Sequence, residues 1–396
     1  MNGQTLVHSP VGGKLMTDPF KVLLAVTGIG AIVALYRFCV GIGATSSLSD
    51  GYPWAIWIAI DVVIGTAVGC GGYAVALLVY ILNRGKYHPL VRPAILTSLL
   101  GYGLAVLAVI IDLGRYWELW KVPIFFWRWT HSPQLEVALC VAVYNLVLLV
   151  ELSPALFEKW RSSPSTSLRA WSERGLRFVD RGLVWILPLG ILLPTMHQSS
   201  LGTMMLLPGP RMHPLWFTPW LPFLFLVNCI VIGYAVVVLE ANFSAAVFGR
   251  RRETAMLASL SRVAAWVALF WVAFRLVEVA VAGKLPLVAS ATGIAFLAEV
   301  LLAVAGAAIL LSQERRARPM WQVRAAILLL LAGALFRVNT YLVAFSPGPH
   351  WSYFPTLPEL LITFGIIAFE VVLYIVAVKT LPILGGAAPA AAQRER

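Results

Sequence analysis

Ten apolar stretches, at about 20–43, 53–83, 91–113, 133–157, 176–195, 214–245, 256–282, 286–312, 320–344 and 358–382, fill this chain almost completely. Each is about long enough to cross the hydrocarbon core of a bilayer, which takes roughly 20 apolar residues of helix. In that solvent every backbone amide needs an internal partner, so the stretches can only fold as a bundle of helices. The expected fold is an all-α integral membrane protein of about ten transmembrane helices. It forms one polytopic domain over 20–382 between short tails at 1–19 and 383–396. Only 12% of residues are charged, too few to cover a soluble surface of this size.

The net charge of +12 raises nucleic acid as a partner, but the distribution of charge argues against it. Of the 30 Lys and Arg, five (Arg115, Lys121, Arg128, Arg211, Lys284) fall in one set of alternate loops and three (Arg37, Arg275, Arg337) inside spans. The rest crowd the other loops and the termini, which the positive-inside rule assigns to the cytoplasm. Both termini are expected there, no nucleic acid is expected, and the first apolar run reads as a retained helix, too long for a signal peptide. Cys39, Cys70, Cys140 and Cys229 lie in apolar runs without CxxC spacing, which excludes a disulfide framework or a cysteine-ligated metal cluster. The Ser- and Arg-rich segment near 158–178 reads as a surface linker. Segments 115–132 and 345–355 are rich in Trp, Tyr and Phe, as expected of an interfacial aromatic belt or of a docking surface for an extracytoplasmic partner.

Charges inside a bilayer are costly, about 2.5 kcal/mol or more each, so the intramembrane acids call for a reason. Asp61, Asp112 and Glu136 fall in the outer halves of helices two, three and four; Glu151 and Glu240 lie toward inner ends, and Glu299 and Glu370 deeper. Acids at graded depths suit proton movement, and each could equally satisfy a packing hydrogen bond. Arg275 and Glu278, three apart, read as a structural pair. Between Leu193 and Met204, His197, Gln198, Ser199 and Ser200 stand together, and Pro194 and Gly202 predict a broken helix lining a cavity at the outer face. A neutral imidazole beside an amide and hydroxyls can bind a quinone carbonyl and exchange a proton. The glycine-dense run Gly65–Ala74 has no preceding strand, so it reads as a close helix contact rather than a phosphate loop. The six histidines are assigned to tails, loops or helix ends, so no facing pair is available for a b-type haem, and none is expected.

Several stretches carry a wider likeness: GYPWAIWIAIDVVIGT (51–66), NRGKYHPLVRPA (83–94), IDLGRYW (111–117), LLPTMHQSSLG (192–202), YLVAF (341–345) and YFPTLPELLI (353–362). By these the chain resembles the NrfD/PsrC family of quinone-interacting membrane anchors, in particular the membrane subunits of respiratory nickel–iron hydrogenases. The resemblance implies a periplasmic ferredoxin-like iron–sulfur partner subunit, hydrogenase large and small subunits, and electrons passing from H2 through the partner's iron–sulfur clusters to menaquinone or ubiquinone. It implies quinone contacts and protonation around Asp61, Asp112, Glu136 and His197, and a role for Glu136 and Glu240 in coupling to proton movement. The residues themselves add Gln198, Arg115 and Tyr116 to the expected pocket and a proton path through Glu151, Glu240, Glu299, Arg337 and Glu370. Arg115 is expected to hold Asp112 ionised. Loops 118–132 and 161–178 depart from the family pattern, which leaves the partner open: another oxidoreductase of the same anchor type fits as well. A proton-coupled secondary transporter and a purely structural anchor are the readings from other classes.

Overall fold

In the computed structural model of the chain, residues 8–250 and 252–385 are described. They form ten long helices: α1 (Asp18–Val40), α2 (Ile58–Ile81), α3 (Gly85–Asp112), α4 (Pro133–Arg161), α5 (Thr166–Met204), α6 (Leu221–Val247), α7 (Thr254–Val281), α8 (Ala291–Leu311), α9 (Pro319–Val343) and α10 (Leu357–Thr380). Nine of the ten are, among the described residues, long and apolar enough to cross a membrane. The exception is α5, whose apolar half ends in the polar run His197–Ser200. At 1.5 Å per residue its 39 residues extend about 58 Å, so its Arg-rich first third projects beyond a ~30 Å hydrocarbon core.

Two expectations are corrected here. The segment 158–178 is not a linker: α4 runs to Arg161 and α5 starts at Thr166, joined as a tight helical hairpin. Ser172 donates from Oγ to the Phe157 carbonyl (2.6 Å), and Gly175 lies against the Phe157 ring. Nor does α5 break at Pro194 or Gly202. Proline removes one intrahelical donor, which a membrane helix tolerates when its neighbours pack against it. Gly202 serves close approach instead, since a Cβ there would sit 2.6 Å from the Leu221 carbonyl oxygen of α6.

Helices α2 to α5 form one bundle and α6 to α9 a second, packed together along α5, α6, α2 and α9. The α1–α10 pair stands beside α3. This pair is set by Gly30 and Gly365, whose Cα atoms approach so closely that a Cβ on either would lie 2.6 Å from the other's Cα. The glycine-rich part of α2 behaves as expected: Gly72 meets Ser98 of α3, and a Cβ on Gly101 of α3 would lie 2.9 Å from the Gly65 carbonyl oxygen. The helix also widens into π turns at Ile58–Ile64 and Leu77–Ile81, and α9 does so at Asn339–Val343.

The chain ends meet at one end of the bundle. Ser9 N–H donates to the Leu384 carbonyl and Val11 N–H to that of Val378. Ile383 and Leu384 are fully buried, so 383–385 belong to the core rather than to a tail; residues 1–7 and 386–396 lie outside the described residues. At the same end Arg92 pairs with Glu158 and donates to the Pro382 carbonyl, and Arg250 donates to that of Gly385. The basic loops are thus gathered on one side.

Because the Gly30–Gly365 contact is backbone against backbone, Gly30→Ala is expected to destabilise the protein by about 1–3 kcal/mol. Gly28→Ala, which meets nothing within 4 Å, should leave the thermal midpoint in detergent unchanged.

A buried polar junction between the two bundles

Arg337, on the last turn of α9 before its π segment, is fully buried where the bundles meet. Its guanidinium donates to Asn228 Oδ1 of α6 (2.9 Å), to the Val63 carbonyl of α2 (2.8 Å), to Gln198 Oε1 of α5 (2.8 Å) and to the Phe225 carbonyl of α6 (3.1 Å). It also lies over the Phe225 ring, 4.9 Å from the centroid. A guanidinium stays protonated in proteins, so in any proton path Arg337 is a fixed charge rather than a carrier.

This charge orients the groups around it. Arginine has only donors, so the Gln198 atom facing it must be the carbonyl oxygen. The amide nitrogen then points the other way, toward Thr66 Oγ1 (3.3 Å), Tyr102 OH (3.4 Å) and His197 Nδ1 (3.3 Å). With Gln198 donating to Nδ1, the His197 proton resides on Nε2. That Nε2–H is buried and has no hydrogen-bond partner among the described residues. An unpaired buried donor costs about 1–3 kcal/mol, and such a group suits a ligand acceptor. His197 is therefore inside a continuous helix, 1% exposed and edge-on to the Tyr102 ring, not in an outer loop as expected. Ser199 instead donates back to the Thr195 and Met196 carbonyls of its own helix, and Ser200 is buried.

The other expected site residues do not join this junction. His197, Asp61, Asp112 and Glu136 share no hydrogen bond or ion pair with one another. Asp61 sits in the first π segment of α2, where Oδ2 is buried and unpaired, facing Thr363 and Glu370 of α10. Asp112 accepts from Trp57 Nε1 (2.6 Å) and more weakly from the Ala55 amide (3.4 Å). The cation near it is Arg37, which donates to the Leu113 carbonyl (2.6 Å), and not the exposed Arg115. Tyr116 packs on Phe38 beside Arg37. Glu136, in the first turn of α4, makes no side-chain hydrogen bond among the described residues. Glu151 lies against Gly190 of α5. Glu240 accepts from Tyr374 OH and lines a small cavity of ≈ 20 Å³ with Arg250 and Glu253, room for about one water. Glu299 belongs to a chain in the second bundle: Asn339 donates to it (2.9 Å), Arg275 stands 3.8 Å away, and Arg275 pairs with Glu278 (3.1 Å), which pairs with Lys284 (2.9 Å). The structural reading of Arg275–Glu278 gains a third and a fourth member.

Glu359 escaped the sequence reading. Fully buried, it accepts from the Ser47 amide (2.6 Å), from the Ile56 amide (3.5 Å) and from Tyr353 OH. It thereby holds loop 41–57 against loop 345–356, in which Phe345 is buried while Trp351 and Phe354 are exposed. Its signal was Thr356-Leu-Pro-Glu359, a capping-box pattern, whose Thr356 Oγ1 does accept from the Glu359 amide (3.3 Å). Segment 115–132 likewise exposes aromatic side chains: Trp117, Trp120, Phe126 and Trp127. Tyr102, Thr66 and Asn228 were also missed, because isolated polar residues in apolar runs give no periodic signal.

Removing the Arg337 guanidinium leaves Gln198 and Asn228 without their donor. Arg337→Gln is expected to lower stability by on the order of 3 kcal/mol, read as a lower melting temperature in detergent. Arg337→Lys should restore only part of it, because an ammonium cannot span four acceptors in a planar fork.

Comparison with known proteins follows the same lines. The profile of the family described as polysulphide reductase, NrfD, matches residues 42–344. The chain is 36% identical, over 95% of its length and 94% of the relative's, to a protein of Escherichia coli K12 named a probable Ni/Fe-hydrogenase 2 b-type cytochrome subunit. It is 31% identical to a protein of Nitratidesulfovibrio vulgaris over 95% of this chain and 97% of that one. With the integral membrane subunit of a menaquinone reductase from the same organism it shares 28% identity over 57% of its length and 52% of the relative's. The word cytochrome raises haem, but the donor set does not fit a bis-histidine site. His197 is the single histidine buried within a described span, with no second histidine facing it; His213 is held by Thr292 in a loop and His88 is exposed. By the extent of these matches and by its helices, the chain is a multi-pass membrane protein, in bacteria of the inner membrane, and belongs to the family described as polysulphide reductase, NrfD.

Proposed function

We propose that this chain is the quinone-reactive membrane anchor of a respiratory complex that passes electrons from H2, through a periplasmic iron–sulfur subunit docked on a hydrogenase, to menaquinone or ubiquinone. The relatives named a probable Ni/Fe-hydrogenase 2 b-type cytochrome subunit and a menaquinone reductase integral membrane subunit support the redox context. The observation that carries the reading is the unpaired Nε2–H of His197, buried and held in one tautomer by Gln198 and Arg337. A quinone accepts two electrons and two protons, and what this chain supplies is positioning and protons. His197 Nε2–H is a donor preset for a carbonyl oxygen, and the Arg337 charge behind Gln198 favours negative charge developing near it. Glu136, without a hydrogen-bonding or ion-pair partner for its side chain among the described residues, stands at the start of α4 and is available as a proton donor from the outer side. Glu151 and Glu240 lie toward the end where the basic loops gather, with Glu240 beside a water-sized cavity. Taking that end as cytoplasmic, with both termini there, they would begin a proton path inward from the cytoplasm.

The decisive test separates hydrogen oxidation from quinone reduction in the assembled complex. His197→Ala should reduce H2-driven quinone reduction by about tenfold to a hundredfold or more, as expected for loss of a positioned proton donor. H2 oxidation by a soluble dye should stay at the wild-type rate. Glu136→Gln is expected to show the same split. Full quinone reduction in both variants would overturn the assignment, and equal loss of both activities would mark a defect of assembly instead.

A further inference from the structure

The first half of α5 carries a feature that the proposed redox chemistry does not use. Ser172, Gly175 and Val179 turn one face of it toward α4. The opposite face repeats at helical spacing: Trp171, Arg174, Arg177 with Phe178, Arg181, then Val184 with Trp185. Trp171, Phe178, Val184 and Trp185 are each between 65% and 76% exposed, and the three arginines are exposed as well. Arg174, Arg177, Phe178 and Arg181 enclose a shallow open pocket of ≈ 250 Å³. Among the described residues none of the three guanidiniums has an acidic partner. Arg177 Nε donates to the Glu173 carbonyl (3.3 Å), Arg174 and Arg181 make no hydrogen bond or ion pair among the described residues, and neither Glu173 nor Asp180 on the same helix reaches them.

We infer that this face of α5 binds the headgroup phosphate of an anionic phospholipid. Three unneutralised guanidiniums around one pocket ask for an anion with several acceptor oxygens, and phosphate geometry matches the guanidinium fork. The depth selects a lipid as the source. The arginines lie within the turns just before the apolar half of α5 begins at Leu183, the level of a headgroup, and the surface below them (Val184, Trp185, Leu189, Leu192) is exposed and apolar, as acyl chains require. Phe178 lines the pocket and the exposed Trp185 lies one turn beyond Arg181 on the same helix, both aromatic residues of the kind that favour the interface. The basic loops gather at this same end of the bundle, the side where positive-inside topology places the anionic leaflet.

The test uses the full chain purified in neutral detergent and exposed to equal amounts of phosphatidylglycerol and phosphatidylcholine, with bound lipid read by native mass spectrometry. The wild type should retain phosphatidylglycerol preferentially. At about fivefold per guanidinium, Arg174→Gln, Arg177→Gln and Arg181→Gln together should weaken that binding about a hundredfold, with phosphatidylcholine adducts unchanged. Should the triple variant fail to fold, Arg177→Gln alone carries the test with its fivefold loss. Arg315→Gln with Arg324→Gln, two exposed arginines lying over Trp321, should retain wild-type selectivity. Undiminished phosphatidylglycerol binding in the single and triple variants overturns the inference. Displacement of the lipid by excess inorganic phosphate would overturn it in favour of a free-anion site. Loss of a co-purifying protein, with lipid retained, would overturn it in favour of a protein interface.

Discussion

A cation without a carboxylate partner at the centre of a membrane protein has to be satisfied by whatever surrounds it, and Arg337 governs the junction for that reason. Its donors take one carbonyl from α2, one carbonyl and a side-chain amide from α6, and the Gln198 amide from α5. In lipid no water can substitute for those acceptors. The two four-helix bundles are therefore fastened to one another at one point by groups that each lose much if the partner is missing. The electrostatics propagate: a donor-only guanidinium sets the Gln198 amide, the amide sets the His197 tautomer, and the tautomer leaves a single buried proton facing away from the cluster.

The acids are distributed differently from a single catalytic cluster. Asp112 and Glu359 accept from backbone amides, Trp57 and Tyr353 at the end where loops 41–57 and 345–356 meet, and these bonds organise the loops. Asp61 and Glu370 face each other across α2 and α10, and Glu240 meets Tyr374 of α10 further along. Helix α10 thus lies against Asp61 of the first bundle and Glu240 of the second, while its pairing with α1 depends on two glycines that bring the backbones into contact. The Glu299–Arg275–Glu278–Lys284 chain is a separate system in the second bundle, reaching from the buried interior to the partly exposed Lys284.

In helix α2 irregular winding and buried polar groups share a location. Its π segment carries Asp61 and presents the Val63 carbonyl to Arg337, and the π segment of α9 begins two residues after Arg337, at Asn339. A π turn shifts the register of side chains and carbonyls by about one residue relative to an α-helix, which re-aims groups that regular winding would point elsewhere. Helix α5, where a break was expected, is continuous, and the π turns lie in α2 and α9.

The apolar runs by themselves determined the class of fold, the number and rough limits of the helices, and the segregation of basic loops to one end, because the bilayer demands about the same length and composition of every crossing. The sequence also singled out His197 and Gln198 as a polar pair and Arg37, Arg275 and Arg337 as charges needing partners. Which partners they take was decided by tertiary structure alone. Arg37 rather than Arg115 stands by Asp112, Arg337 meets Gln198 and Asn228 across more than a hundred residues of chain, and Tyr102, Thr66 and Glu359 enter only once helices from different parts of the sequence are packed. Proline and glycine in α5 misled for the same reason: they break an isolated helix, but inside a bundle Pro194 is supported by its neighbours and Gly202 is the point where α6 approaches. Hydropathy is a property of each segment on its own, whereas the satisfaction of a buried donor belongs to whichever segments happen to surround it.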